Sequence, residues 1–177
     1  MKTLLFSLIT CLAVSSAALA LDTTKGFQTA NIALYQPNDV LQARTRSVED
    51  LAAYIKQIQA VCTEFYANDT KPENLHIVVA VRPGKRSRVW FISSTAPNDA
   101  SRDPLRKKLE AIPPCDAHGG PIAFTISAAL AGGAGKIFTG EDKDFSPPIP
   151  KEWSDAKIGK NSGPVPDCYL DIVWPDK

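Results

Sequence analysis

The chain has 177 residues, of which 44% are hydrophobic and 22% are charged, and its 20 basic and 19 acidic side chains nearly balance. A chain of this length can bury a sizeable core within a single domain. The near-neutral charge, without a long run of Lys and Arg, argues against nucleic-acid binding, which needs a basic surface to neutralise phosphates.

The first twenty residues have the features of a signal peptide. Lys2 is followed by an apolar run from Leu4 to Val14, and Ala18-Leu19-Ala20 has the small-x-small pattern that precedes a cleavage site. The apolar run is shorter than the ~20 residues that a membrane-spanning helix needs. We therefore expect residues 1–20 to be removed, the mature chain to have no transmembrane segment, and the protein to be periplasmic or secreted.

An N-terminal arm and a long helix are predicted next. Residues 21–46 are polar and weakly periodic, which predicts an extended arm with one short strand near Ile32 to Tyr35. Ser47 begins a capping-box pattern, in which its hydroxyl accepts from the amide of Asp50. Apolar residues then recur at steps of four and three, which predicts an amphipathic helix that ends near Asn68. The stripe consists of Leu51, Ile55, Ile58, Cys62 and Phe65.

Alternating apolar residues predict a β-hairpin after this helix. Leu75 to Val81 place every second side chain on one face, and Arg88 to Ile92 are rich in β-branched and aromatic residues. Pro83-Gly84 between them has the residues of a tight turn. The sheet is expected to be antiparallel at this point.

The rest of the chain is predicted to add one helix and two strands. Asp103-Pro104 opens a short helix that ends at Pro113-Pro114. Apolar side chains alternate from Ile122 to Ala128, which predicts a strand. Residues 136–166 are predicted to form a Pro-rich connection. The spacing of apolar residues from Cys168 to Trp174 predicts a closing strand. We therefore expect one α+β domain over residues 47–177. Its antiparallel sheet of three to four strands carries two helices on one face, in helix-hairpin-helix-strand order with an extra C-terminal strand.

Three cysteines remain after the signal peptide: Cys62, Cys115 and Cys168. In an oxidising compartment this odd number predicts one disulfide and a spare thiol, or an intermolecular bond. Cys62 and Cys168 lie on predicted apolar faces, where either could stay reduced. Cys115 follows two prolines in a loop, where a free thiol would be exposed and reactive. We expect Cys115 to be bridged, with Cys62 the favoured partner.

No catalytic, cofactor or metal motif is complete in this sequence. His118 with Cys115 and Asp116 fits no zinc spacing, and the glycines before Lys136 lack two positions of a phosphate-binding loop. His76 lies on the strand face opposite the apolar row, so its side chain is expected to face solvent or to form a hydrogen bond. No catalytic residue, cofactor or metal ligand is assigned.

The order of elements resembles a known family. The predicted order begins with a leading helix over Leu51 to Phe65 and a hairpin over Leu75 to Ile92. A short helix over Leu105 to Ile112, which ends in prolines, and a strand over Ile122 to Ile126 come next. This pattern, over roughly residues 47–130, resembles the periplasmic C-terminal domains of TonB and TolA proteins. The resemblance implies binding of a partner strand at a sheet edge, which the hairpin could provide. The anchor and spacer of those proteins are not found in this sequence, so a force-transmitting role is not expected.

These observations favour an exported, soluble periplasmic binding protein without catalytic activity, such as an inhibitor or immunity-type partner of another exported or cell-envelope protein. The candidate partner-binding residues are Arg86, Arg88, Trp90 and Trp153. The alternative is a small secreted hydrolase that uses scattered acidic residues near His118, with Asp116 as the nominated acid.

Overall fold

The computed structural model describes residues 26–93, 100–133, 147–156 and 166–175. Its centre is a four-stranded antiparallel sheet in the order β1-β4-β2-β3. The strands are Phe27–Leu34 (β1), Glu73–Arg82 (β2), Arg86–Ser93 (β3) and Ile122–Leu130 (β4). The helices are Asn38–Arg44 (α1), Val48–Phe65 (α2), Asp103–Glu110 (α3), Lys151–Ser154 (α4) and Asp167–Val173 (α5), and a single 3-10 turn at Ala100–Arg102 precedes α3. The predicted α+β class is confirmed.

One face of the sheet carries α2 and α3, as predicted. The register pairs Ile77 with Ile126 and Val79 with Phe124, and all four side chains belong to the main core. The predicted stripe of α2 packs on this face, together with Tyr54, which the stripe did not include. None of the helices in the described ranges is long and apolar enough to cross a membrane.

The opposite face is covered by α4 and α5, and here the predicted C-terminal strand is wrong. Residues 167–173 form a helix instead. Five of the six residues from Cys168 to Val173 are apolar. So short an apolar run is compatible with both the period of a strand and the period of a helix. In the helix, Tyr169, Leu170 and Val173 all face a second core cluster on this side of the sheet. Its buried members are Val78, Ala80, Trp90, Ala123, Trp153 and Leu170.

The segment predicted as an extended arm contains the edge strand β1 and the helix α1. β1 is longer than the short strand expected near Ile32 to Tyr35, and it pairs with β4 along its length. A register shift between Thr29 and Asn31 inserts one extra residue into β1. Such a bulge changes the phase of the alternation, so the strand shows little periodicity in the sequence.

The predicted cap of α2 is confirmed, because the Asp50 amide donates to Ser47 Oγ at 2.9 Å. We expect Ser47→Ala to lower the free energy of unfolding by about 1 kcal/mol, since the amide then loses its partner at the helix start. Urea denaturation followed by circular dichroism measures the loss. Thr63→Ala is the matched control, because the Thr63 hydroxyl donates to the Gln59 carbonyl oxygen within the same helix. Equal effects of the two substitutions would contradict the capping role.

Candidate functional site

The four residues nominated for partner binding lie together where α4 and α5 pack on the sheet, with Trp153 in α4 and the other three in β3. Trp153 is fully buried, Trp90 is 4% exposed, and their ring centroids are 5.2 Å apart. The Arg88 guanidinium lies 5.3 Å from the Trp90 centroid, and the Arg86 guanidinium lies 5.8 Å from that of Trp174. These contacts attach α4 and α5 to the sheet, and they leave little of either tryptophan for a partner to reach.

Further arginines fix the position of α5. Arg44 of α1 donates to both carboxylate oxygens of Asp167 at 2.9 and 2.7 Å. Arg82 of β2 donates to Asp171 at 3.0 Å, and Arg88 donates to the carbonyl oxygen of Val173 at the same distance. The helix is therefore held at its start, middle and end by side chains from α1 and the hairpin.

The three cysteines are not bridged, and the predicted disulfide is wrong. Cys62, Cys115 and Cys168 are all buried with free thiols. Cys115 is only 7% exposed, since the loop that follows α3 packs into the main core instead of standing in solvent. Burial raises the pKa of the Cys62 thiol to about 12 and that of Cys115 to about 11. Both thiols stay protonated at neutral pH and are poor nucleophiles.

The two histidines lie in different settings. His76 Nδ1 is 2.8 Å from Ser127 Oγ on the second face of the sheet, which confirms its hydrogen-bonded role, and burial lowers the pKa of the His76 imidazole. His118 is exposed, and its backbone amide donates to the carbonyl oxygen of Arg44 at 3.0 Å. Among the described residues, no group of three or more His, Cys, Asp or Glu side chains is placed to hold a metal ion.

A pocket of about 280 Å³ opens between the first half of α2, the β2–β3 turn and the loop after α3. We call it the charged pocket, because two basic and two acidic side chains surround it. Its lining residues are Arg46, Asp50, Ala53, Tyr54, Gln57, Lys85, Pro113, Pro114, Cys115 and Asp116. Asp116, the acid nominated for a hydrolase, lines this pocket, whereas His118 does not.

The two edges of the sheet differ in how far they are covered. At the β3 edge, α3 packs against the strand and the Val89 amide donates to the Glu110 carboxylate at 3.0 Å. At the β1 edge, the Tyr35 amide donates inward to the carbonyl oxygen of Ala123 at 3.1 Å. Antiparallel strands alternate, so the peptide groups of Ile32 and Leu34 point away from β4. No strand within the described ranges pairs with that side of β1.

Comparison with known proteins does not assign the chain to a family. No family model, curated protein or solved structure matches the chain. The similarity to TonB and TolA domains therefore stays a prediction from the order of elements, and the function is argued from the contacts described above.

Proposed function

We propose that this chain is an exported protein that binds another exported or cell-envelope protein, and that it accepts a strand of that partner along the edge of β1 that no described strand covers. The observation that carries the proposal is the state of this edge. Ile32 and Leu34 have outward peptide groups, and their side chains are 38% and 37% exposed on the same face. Main-chain hydrogen bonds would supply affinity, and apolar contacts with these two side chains would supply specificity.

The composition of the two edges supports β1 as the binding edge. Proteins prevent unwanted strand pairing with edge charges, prolines and covering elements. β3 carries Arg86 and Arg88 and is covered by α3, whereas β1 contains no charged residue and no proline. The resemblance to TonB and TolA domains pointed to the hairpin edge. The contacts of Glu110 with β3 favour the opposite edge of the same sheet.

The location rests on the signal-peptide features of residues 1–20, which lie outside the described residues. A secreted or periplasmic protein meets its partners after folding, so a preformed strand edge would need no unfolding of the binding protein.

A charge introduced at the β1 edge tests this proposal. We expect the double substitution Ile32→Lys and Leu34→Lys to weaken binding of the partner by at least about tenfold, because two ammonium groups would be buried against an apolar strand. The wild-type protein, immobilised, would first be used to isolate partners from an envelope extract. The affinity of the purified partner would then be measured for both proteins by surface plasmon resonance.

Val48→Lys is the matched control, since Val48 is 63% exposed at the start of α2 and is not part of β1. Amide exchange gives a second readout. Binding should slow exchange at Ile32 and Leu34, and it should change exchange little at Tyr35, whose amide is already bonded to β4. A partner that binds the Lys variant as tightly as wild type, or that leaves the Ile32 and Leu34 amides unprotected, would contradict strand addition.

A further inference from the structure

We infer that the charged pocket is a binding site for a small zwitterion of the amino-acid or dipeptide class. This site is separate from the β1 edge and does not depend on the function proposed for that edge. Three features of the pocket lead to this assignment: charges of both signs that are unpaired among the described residues, a buried hydroxyl that has no well-formed hydrogen bond there, and walls of constrained backbone.

The charges of the pocket are not neutralised by one another. Arg46 and Lys85 supply two cations, and Asp50 and Asp116 supply two carboxylates. Within the described part of the chain, none of these four side chains forms an ion pair or a hydrogen bond, although acid-base pairs form elsewhere in the protein. Charged groups of both signs therefore remain free to meet an external ligand.

Tyr54 lines the pocket and has a buried hydroxyl. The residue is 2% exposed, and its hydroxyl has no well-formed hydrogen bond to any described residue. The side chains of Ser87, Cys115 and Glu110 lie near the Tyr54 hydroxyl, and the Ser87 hydroxyl likewise has no well-formed hydrogen bond to any described residue. Burial raises the pKa of the Tyr54 hydroxyl to about 12, so it keeps its proton and can donate to an anionic ligand oxygen.

The walls of the pocket are built from constrained backbone. Lys85 has a φ of 56°, directly after Gly84 at 84°, which is an uncommon conformation for a residue with a side chain. Pro113 and Pro114 form the opposite wall, and their rings fix φ. A charged lysine held in a left-handed turn beside a polar pocket fits the tendency of strained residues to occur at binding sites.

The size and charge of the pocket define the class of ligand. Its volume of about 280 Å³ lies just below the roughly 300–1,000 Å³ of pockets for drug-sized molecules. A simple anion would pair with Arg46 and Lys85 but leave Asp50 and Asp116 unpaired, and a simple cation would do the reverse. A molecule with an ammonium group and a carboxylate a few bonds apart can satisfy both signs at once.

Isothermal titration of the full mature chain with dialanine tests the assignment. We expect saturable binding, and at least about tenfold weaker binding of N-acetyl-dialanine, which lacks the ammonium group, and of dialanine amide, which lacks the carboxylate. Arg46→Gln and Asp116→Asn should each weaken dialanine binding by about tenfold. Arg106→Gln and Asp103→Asn, which alter an exposed ion pair on α3, are the matched controls.

Tyr54→Phe separates a ligand-binding role from a structural one. Since the hydroxyl has no partner in the described chain, its removal should leave the urea midpoint unchanged or raise it, while dialanine binds about fivefold more weakly. The Ile32→Lys and Leu34→Lys protein should bind dialanine as wild type does, so failure at one site is distinguishable from failure at the other. The assignment is overturned if neither dialanine nor free alanine binds at millimolar concentration, if either blocked dipeptide binds equally well, or if Arg46→Gln and Asp116→Asn have no effect.

Discussion

Replacing Arg102 with methionine is expected to lower the free energy of unfolding by about 3–5 kcal/mol, the loss typical of breaking a buried ion pair on one side. Arg102 donates to both carboxylate oxygens of Glu73, at 2.6 and 2.7 Å. The two side chains are only 6% and 11% exposed. The substitution leaves the Glu73 carboxylate buried opposite a thioether, and it also removes the 3.3 Å hydrogen bond from Arg102 to the Tyr66 hydroxyl.

An exposed ion pair on the next helix provides the control. In the Arg106–Asp103 pair the side chains are 39% and 54% exposed, so Arg106→Met should cost less than about 1 kcal/mol. Both values follow from urea midpoints and slopes in a two-state analysis. The double variant Arg102→Met with Glu73→Leu should recover part of the stability lost in the single variant, since no unpaired charge remains. Similar losses for Arg102→Met and Arg106→Met would show that burial of the first pair does not determine its contribution.

The elements that could be predicted from the sequence are those with a regular spacing of apolar residues or a composition typical of strands. α2 buries one stripe of its surface, so Leu51, Ile55 and Ile58 recur at helical spacing. In β2, Leu75, Ile77 and Val79 face the main core, whereas Val78 and Ala80 face the second core cluster. The stripe of α2 therefore reports one contact surface, and β2 could be predicted because its residues are apolar and β-branched as well as regularly spaced.

Elements at the margins of the domain were harder to predict. β1 changes phase at its bulge, and α5 is so short that two periods fit it equally well. Whether the cysteines are free and buried also depends on tertiary contacts. Cys115 was expected to be exposed in its loop, but that loop packs against the core. Such packing cannot be predicted from the local sequence alone.

The charged pocket could not be found from sequence spacing. Its charged residues come from three separate segments: the start of α2 with Asp50 and the preceding Arg46, the turn at Lys85, and the loop at Asp116. The same is true of the ion pair between Arg44 and Asp167, which are 123 positions apart. One local signal did exist, since Pro83-Gly84 indicated the turn that brings Lys85 to the pocket.

Substituting Trp153 with alanine is expected to lower the free energy of unfolding by about 3–5 kcal/mol. Trp153 is fully buried at the centre of the second core cluster, where Val78, Ala80 and Ala123 lie at the sheet surface. Its ring centroid lies 5.5 Å from that of Tyr35, 5.2 Å from Trp90 and 5.9 Å from Tyr169. Alanine would leave a cavity between the sheet and the C-terminal helices, and it would remove all three aromatic contacts.

The Trp153→Ala variant also distinguishes a core residue from the partner anchor that the sequence suggested. A core residue loses stability with no partner present, whereas an anchor loses affinity and leaves stability unchanged. Ile149→Ala is the control, since Ile149 is 41% exposed on the segment that leads into α4 and should cost less than about 1 kcal/mol. We expect the unfolding transitions seen by circular dichroism and by tryptophan fluorescence to coincide, because α4 has only four residues and depends on the sheet for its structure. An early fluorescence transition with an unchanged circular dichroism midpoint would show instead that the C-terminal helices detach from a sheet that is stable without them.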